Sequence, residues 1–145
     1  MKILRIDHLH MKGNNFDKTA QAMEKLIGQD FYMRMDFTEK DGAEVAYQPY
    51  PIGLELFNPT DISKNSGRIA AESQPGVIAI SYKVPNIKEA QGEMESLGYK
   101  LIEYFDYGEI QEALYDTKDD FGLMIELIEY PGDSITDVSN NIEDL

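Results

Sequence analysis

The chain contains no cysteine and no tryptophan among its 145 residues. The first absence excludes disulfides, thiolate metal ligands and cysteine nucleophiles. Positive charge is also scarce: 13 Lys and Arg stand against 27 Asp and Glu, for a net charge of −14. No basic cluster relieves this, so neither nucleic acid nor an anionic membrane surface is expected as a partner. No stretch approaches the ~20 apolar residues needed to span a bilayer. The opening Met1-Lys2-Ile3-Leu4-Arg5 turns polar at Asp7 and carries no apolar signal segment. A soluble cytoplasmic protein is the expectation. Also missing are a GxGxxG run, a phosphate-loop lysine motif and a serine nucleophile elbow, which argues against nucleotide-dependent or serine-hydrolase chemistry.

Two stretches, 3–57 and 78–128, instead repeat one pattern at an offset of 71 positions. Lys12 matches Lys83, Asn15 matches Asn86, Met23 matches Met94, and Leu26 matches Leu97. Leu54-Glu55-Leu56 matches Ile125-Glu126-Leu127. Each stretch reads strand, helix and three strands. In the first, Ile3–Met11 is a strand, Asn14 or Asn15 caps a helix over Phe16–Leu26, and Gly28 ends it. Strands follow at 31–37, 44–48 and 53–57, with Lys40-Asp41-Gly42 as a hairpin turn. In the second, Val77–Val84 is a strand, Pro85-Asn86 opens a helix over Ile87–Leu97, and strands follow at 99–105, 110–115 and 123–129. A single α+β domain over 1–145 results, with module one at 3–57, a polar linker at 58–75, module two at 76–130, and a peripheral acidic tail at 131–145.

Strand parity then locates the chemistry. His8 and His10 are the only histidines and leave one face of the first strand. Leu54 and Leu56 take one face of their strand, leaving Glu55 beside Phe57. Ile125 and Leu127 do the same in the second module, leaving Glu126 beside Met124 and Ile128. An acid with apolar neighbours on its own face is costly unless a cation or hydrogen bond compensates it. His8, His10, Glu55 and Glu126 are therefore the candidate catalytic and metal-ligating residues. As a set they suit a divalent ion such as Mn, Fe, Co, Ni or Zn. Met33, Met35, Tyr47, Phe57, Tyr104, Tyr115, Met124 and Ile128 are expected around a substrate pocket, with Tyr107 a further hydroxyl. Arg68 and Lys64 are candidate contacts for an anionic substrate.

Ile6-Asp7-His8-Leu9, Glu55, the strand Gly76–Val84 and Glu126 resemble the vicinal oxygen chelate superfamily of glyoxalases, bleomycin-resistance proteins and extradiol dioxygenases. Lys118 with Gly122-Leu123-Met124-Ile125-Glu126-Leu127 is similar to the ending of methylmalonyl-CoA epimerases. The resemblance implies two tandem βαβββ modules forming a curved mixed sheet around a shared cavity, helices outside, in a homodimer. It implies a metal held by His8, Glu55 and Glu126. The chain departs from the pattern at Ala79, where a second histidine would stand. His10 substitutes for it, or water fills the coordination, or the site works without metal. The implied activity is an epimerase, racemase or isomerase that removes a proton alpha to a carbonyl of a small, partly hydrophobic substrate. Glu126 is the first choice as base, with Glu55 second, His8 as ligand or electrophile, and His10 as auxiliary ligand or proton donor. A non-catalytic, antibiotic-like binding protein, a thiol-transfer resistance protein, a lyase and a ring-cleaving dioxygenase are the alternatives.

Overall fold

The computed structural model describes residues 1–138. Eight strands form one sheet in the order β2-β3-β4-β1-β5-β8-β7-β6. In chain order these are β1 (Arg5–Lys12), β2 (Met33–Phe37), β3 (Ala43–Gln48), β4 (Leu54–Pro59), β5 (Gly76–Lys83), β6 (Lys100–Tyr107), β7 (Ile110–Asp116) and β8 (Met124–Glu129). The helices are α1 (Phe16–Ile27), α2 (Thr38–Asp41), α3 (Asn65–Glu72), α4 (Ile87–Ser96) and α5 (Lys118–Phe121). The sheet is mixed and curls into a half-barrel. Its two halves meet at an antiparallel β1–β5 seam.

The duplication is visible in the hydrogen-bond register. Strand β1 pairs in parallel with β4 as Leu9↔Leu54, His10↔Glu55 and Met11↔Leu56. Strand β5 pairs in parallel with β8 as Ile80↔Ile125, Ser81↔Glu126 and Tyr82↔Leu127. Each second pair is the first displaced by 71 residues. Helix starts repeat as well. Asn15 accepts from the Lys18 amide and Asn86 from the Glu89 amide, both caps being extended at φ −146°. Such a cap satisfies an otherwise unpaired amide and contributes about 1 kcal/mol.

The outer face of the sheet is covered by helices. Helix α1 sets its buried Ala20 against Phe31, Ala46 and Leu56, with Met23 and Leu54 beside them. Helix α4 sets Ile87, Ala90 and Met94 against Val84, Ala113, Tyr115 and Leu127. The even positions of β4 and the odd positions of β7 and β8 thus feed the helix side. Their neighbours are left for the concave side.

Two expectations change here. The linker is not merely polar, since α3 lies within it and buries Gly67 and Ala70. A Cβ on Gly67 would stand 2.1 Å from the Asp61 carbonyl oxygen, so only glycine lets α3 approach the loop this closely. Nor is the tail wholly peripheral. A capping box at Ser134 fixes a short 3-10 turn, Ile135–Asp137, and buries Ile135 against Met33, Tyr47, Ile110, Ile128 and Tyr130. The rest of the tail, 139–145, lies outside the described residues. The turns at 40–42 and 118–122 are single helical turns closed by Gly42 and Gly122 in the left-handed region.

Candidate active site

The concave side encloses a cavity of about 100 Å³ that reaches from the β1–β5 seam to both arms of the sheet. His8, His10, Glu55 and Glu126, three of them from strands of module one and the last from β8, all line it. The loss of the second-module histidine has a structural counterpart. His10 pairs across the seam with Ala79 itself. An imidazole from module one thus stands opposite the position where module two carries only a methyl group. The two imidazole rings lie 4.7 Å apart, His8 edge-on to Tyr47 and His10 stacked on Phe57.

Ser81 ties the cluster together. Its hydroxyl donates to Glu126 Oε1 at 2.6 Å and lies 2.6 Å from His10 Nε2 and 3.1 Å from His8 Nε2. Ser81 is fully buried. With its own proton given to Glu126, the hydroxyl keeps two lone pairs with which it can accept from a ring nitrogen that carries a proton. Glu126 Oε1 also lies 3.4 Å from His10 Nε2 and 3.8 Å from His8 Nε2. Burial alone would raise the proton affinity of Glu126, but His10, His8 and Ser81 outweigh it and hold the carboxyl below its usual range.

His8 is fixed from behind. Its Nδ1 lies 2.8 Å from Oδ2 of the buried Asp7. Asp7 in turn accepts from the Tyr130 hydroxyl and sits 3.6 Å from the Arg5 guanidinium. Burial pushes Asp7 up, yet His8, Tyr130 and Arg5 bring it below the usual carboxylate value. For His8 burial works downward, and the Asp7 hydrogen bond with the Glu55 and Glu126 charges raises it overall. The Asp7 contact fixes which imidazole nitrogen faces the cavity, namely Nε2.

His8, His10 and Glu126 can each present a ligand atom such that all three lie within 4.8 Å of one another. Glu55 joins them at 3.6 Å from His8 Nε2 and 4.0 Å from His10 Nδ1. A histidine oriented by a buried carboxylate is the usual support for a metal ligand, so the donor set fits a divalent ion of borderline character. Unlike Glu126, Glu55 takes no hydrogen bond among the described residues. Burial raises its proton affinity by more than His10 and His8 lower it.

Two further acids face the cavity and were not singled out by sequence. Glu112 lies on β7 between the cavity-lining Ile110 and Leu114, and burial with Glu126, Glu55 and Asp41 nearby pushes it well up. Parity would have found it, because it shows the same acid-between-apolars signal as Glu55. Asp41 ends α2, and burial together with the Glu103 charge lifts it to about 6 despite Lys40. Among the described residues its Oδ1 has no hydrogen-bond partner, nor has the hydroxyl of Tyr47, and both residues line the cavity.

Of the expected pocket residues, Met35, Tyr47, Phe57 and Met124 line the cavity, as does Tyr107. Met33 and Ile128 are on the concave side but pack into its closed end with Ile110 and Ile135. Tyr115 points the other way, into the core under α4, because odd positions of β7 face the helices. Tyr104 packs against that same core, its hydroxyl on Gln111 and its ring under Lys88. Arg68 borders a second groove of about 400 Å³ with Lys100 and Lys118, which adjoins the cavity at Ile69 and Met124. Lys64 is outside that groove.

No protein-family model matches the sequence, and no curated protein matches it either. Solved structures do share the fold. A Streptomyces coelicolor methylmalonyl-CoA epimerase in complex with 2-nitronate-propionyl-CoA superposes with a TM-score of 0.71 at 19% identity, covering 90% of this chain and 100% of that one. The Mycobacterium tuberculosis methylmalonyl-CoA epimerase gives 0.70 at 18% identity, covering 90% of each chain. A hypothetical protein from Bacillus halodurans gives 0.71 at 16% identity, covering 89% and 96%. The chain therefore has the vicinal oxygen chelate fold. No helix among the described residues is long and apolar enough to cross a membrane.

Proposed function

We propose that the chain is an isomerase of the epimerase or racemase type, acting at the carbon alpha to a carbonyl of a small, partly apolar substrate. The observation that carries this reading is the unequal treatment of the acids around one apolar cavity. Glu126 is clamped by Ser81 and the imidazoles and stays ionised. Glu55 is unclamped and its proton affinity is raised. Glu112, on a strand four places further along the sheet, is raised more strongly still.

Acid–base catalysis works best when donor and acceptor have proton affinities near the working pH. Glu55 is the better base on these grounds, in place of the first choice, Glu126. It takes the alpha proton while His8 Nε2, held by Asp7, faces the developing enolate oxygen. Protonated Glu112 returns a proton from the β7 side. Glu55 then carries a proton and Glu112 does not, so the enzyme is set for the reverse direction until water resets it. A divalent ion held by His8, His10 and Glu126 would supply Lewis-acid stabilisation of that oxygen and leave Glu55 free to act as base. The structural neighbours' ligands are acyl-CoA compounds. The adjoining groove offers Arg68, Lys100 and Lys118, alongside Glu72, Asp116 and Asp119, as contacts for the handle of such a thioester.

The test is solvent-deuterium incorporation at the alpha carbon of 2-substituted acyl thioesters, followed by proton NMR. Exchange that is lost in Glu55→Gln supports the reading, and absence of exchange across a metal-supplemented thioester panel sinks it. One observation favours a second reading. His8, His10 and Glu126 have the two-histidine, one-carboxylate composition of non-haem iron oxygenases. Iron bound stoichiometrically with oxygen consumption on a catechol substrate would establish it in place of the first.

A further inference from the structure

The cavity has an unusual charge balance. Four carboxyl groups line it, from Asp41, Glu55, Glu112 and Glu126, and no lysine or arginine does. Residues 139–145 contain no basic residue that could supply one. Lys40 is the cation beside it, and it is occupied over the Tyr107 ring at 4.3 Å. The rest of the wall is apolar or aromatic, including Phe37, Phe105 and Ile78. Two polar groups in that wall have no hydrogen-bond partner among the described residues: Asp41 Oδ1, in a residue 9% exposed, and the Tyr47 hydroxyl, in a residue 3% exposed. Leaving such groups unpaired is costly, and a bound ligand can remove that cost.

A free carboxylate entering this space meets no lysine or arginine among the described residues, and His8 there already faces Asp7, Glu55 and Glu126. Such a carboxylate would have to share a proton with Glu112 or displace one acid from the histidines. A divalent ion on the His/Glu cluster would offset part of the charge and still leave Asp41 and Glu112 facing the apolar wall. We propose that the reacting end of the ligand is uncharged, bearing a ketone, amide or hydroxyl group rather than a carboxylate: the Tyr47 hydroxyl donates to its carbonyl oxygen, while Asp41 accepts from a hydroxyl or amide where one is present and repels a carboxylate. This rests on the isomerase reading for the word reacting, but not for the binding preference. It separates the chain from the structural neighbour found with methylmalonyl-CoA, whose acyl group ends in a carboxylate.

A matched pair of ligands tests it. The N-acetylcysteamine thioesters of 2-methylacetoacetate and methylmalonate differ only in a methyl group replacing a carboxylate oxygen. Each is titrated at pH 7.5 into the full-length protein as purified, following the methyl resonances of Met35 and Met124. The ketone is expected to bind at least tenfold more tightly. Asp41→Asn and Glu112→Gln, checked for folding by circular dichroism, are expected to narrow the gap severalfold. Equal or tighter binding of the methylmalonyl thioester overturns the proposal, as does failure of the ketone to shift those resonances. Alpha-proton exchange is recorded on the same samples. Ketone binding without exchange ends the isomerase reading and leaves the preference standing. Exchange of the methylmalonyl thioester alone does the reverse.

Discussion

Module one and module two are built on one plan and loaded differently. The parallel pairs on either side of the seam, the asparagine caps and the closing glutamates all repeat at one offset. The side chains facing the cavity do not. Module one sets two imidazoles on β1, and module two sets Ala79 and Ser81 at the matching places on β5. Small residues on β5 make room for the large ones on β1, and Ser81 uses that closeness to hold both rings and Glu126. Duplication supplied the frame, and asymmetry within it gives two equivalent glutamates different surroundings. Glu126 accepts a hydrogen bond from Ser81, whereas the Glu55 side chain accepts none among the described residues and burial raises its proton affinity.

Exchanging the amides at those two positions is the sharpest way to break this comparison. Glu55→Gln is expected to lower alpha-proton exchange by about 10²–10⁴-fold, the usual worth of a positioned base. Metal content and thermal stability should stay nearly unchanged. Glu126→Gln is expected to lose metal affinity and to lower the melting temperature, because it leaves His10 and Ser81 facing an amide. Equal loss of exchange and of metal in both variants would show that the two glutamates act alike.

The next effect concerns the support of His8. Asp7→Asn keeps the shape but removes the charge behind the ring. Loss of such a support lowers metal affinity by about 10–100-fold. Competition with a chromogenic chelator measures it, and unchanged affinity would show that His8 is not a metal ligand. A smaller effect is expected from restoring the missing histidine. Ala79 is buried and pairs with His10, so Ala79→His overfills the seam and should cost about 1–3 kcal/mol. Removing His10 as well makes room and should recover most of that loss in urea unfolding. Stability unaffected by Ala79→His would mean that His10 does not occupy the vacated space.

What could be read in the sequence follows from how locally each feature is encoded. The repeat, the caps and the face of each glutamate depend on neighbours within a few residues, and strand parity is enough to place Glu55, Phe57, Glu126 and Met124 on the concave side. Parity also assigns Tyr115 to the helix side and Glu112 to the cavity, whereas gathering tyrosines by type alone puts Tyr115 in the pocket and passes over Glu112. Ser81 is different. Its importance arises from pairing with β1, more than seventy residues away, and serine in a strand carries no chemical signal of its own. Asp7 is similar, since it faces away from His8 along the strand yet reaches back to its ring. Ile135 enters the cavity wall from a tail whose composition points outward, because the Ser134 capping box turns one apolar residue inward.

Asp41 provides the smallest test, and it contrasts the cavity's outer acid with those at the seam. No imidazole or serine compensates it, and its carboxyl is lifted to about 6 from an ordinary 3.8. Below about pH 3.8 the group is protonated whether the chain is folded or not, and it contributes no difference. Between 3.8 and 6 the unfolded chain releases the proton while the folded one retains it, so stability falls as pH rises. Above 6 the cost is fully present and no longer changes. At 1.36 kcal/mol per pKa unit, discounted for water reaching the open side of the cavity, the penalty near neutrality is about 1–2 kcal/mol. Asp41→Asn is therefore expected to be more stable than the parent at pH 7 and equal to it near pH 3.5. Urea midpoints for both proteins across this range would show the two curves separating as pH rises. Parallel curves would mean that Asp41 is compensated in solution, and that the cavity wall has a partner for its free oxygen.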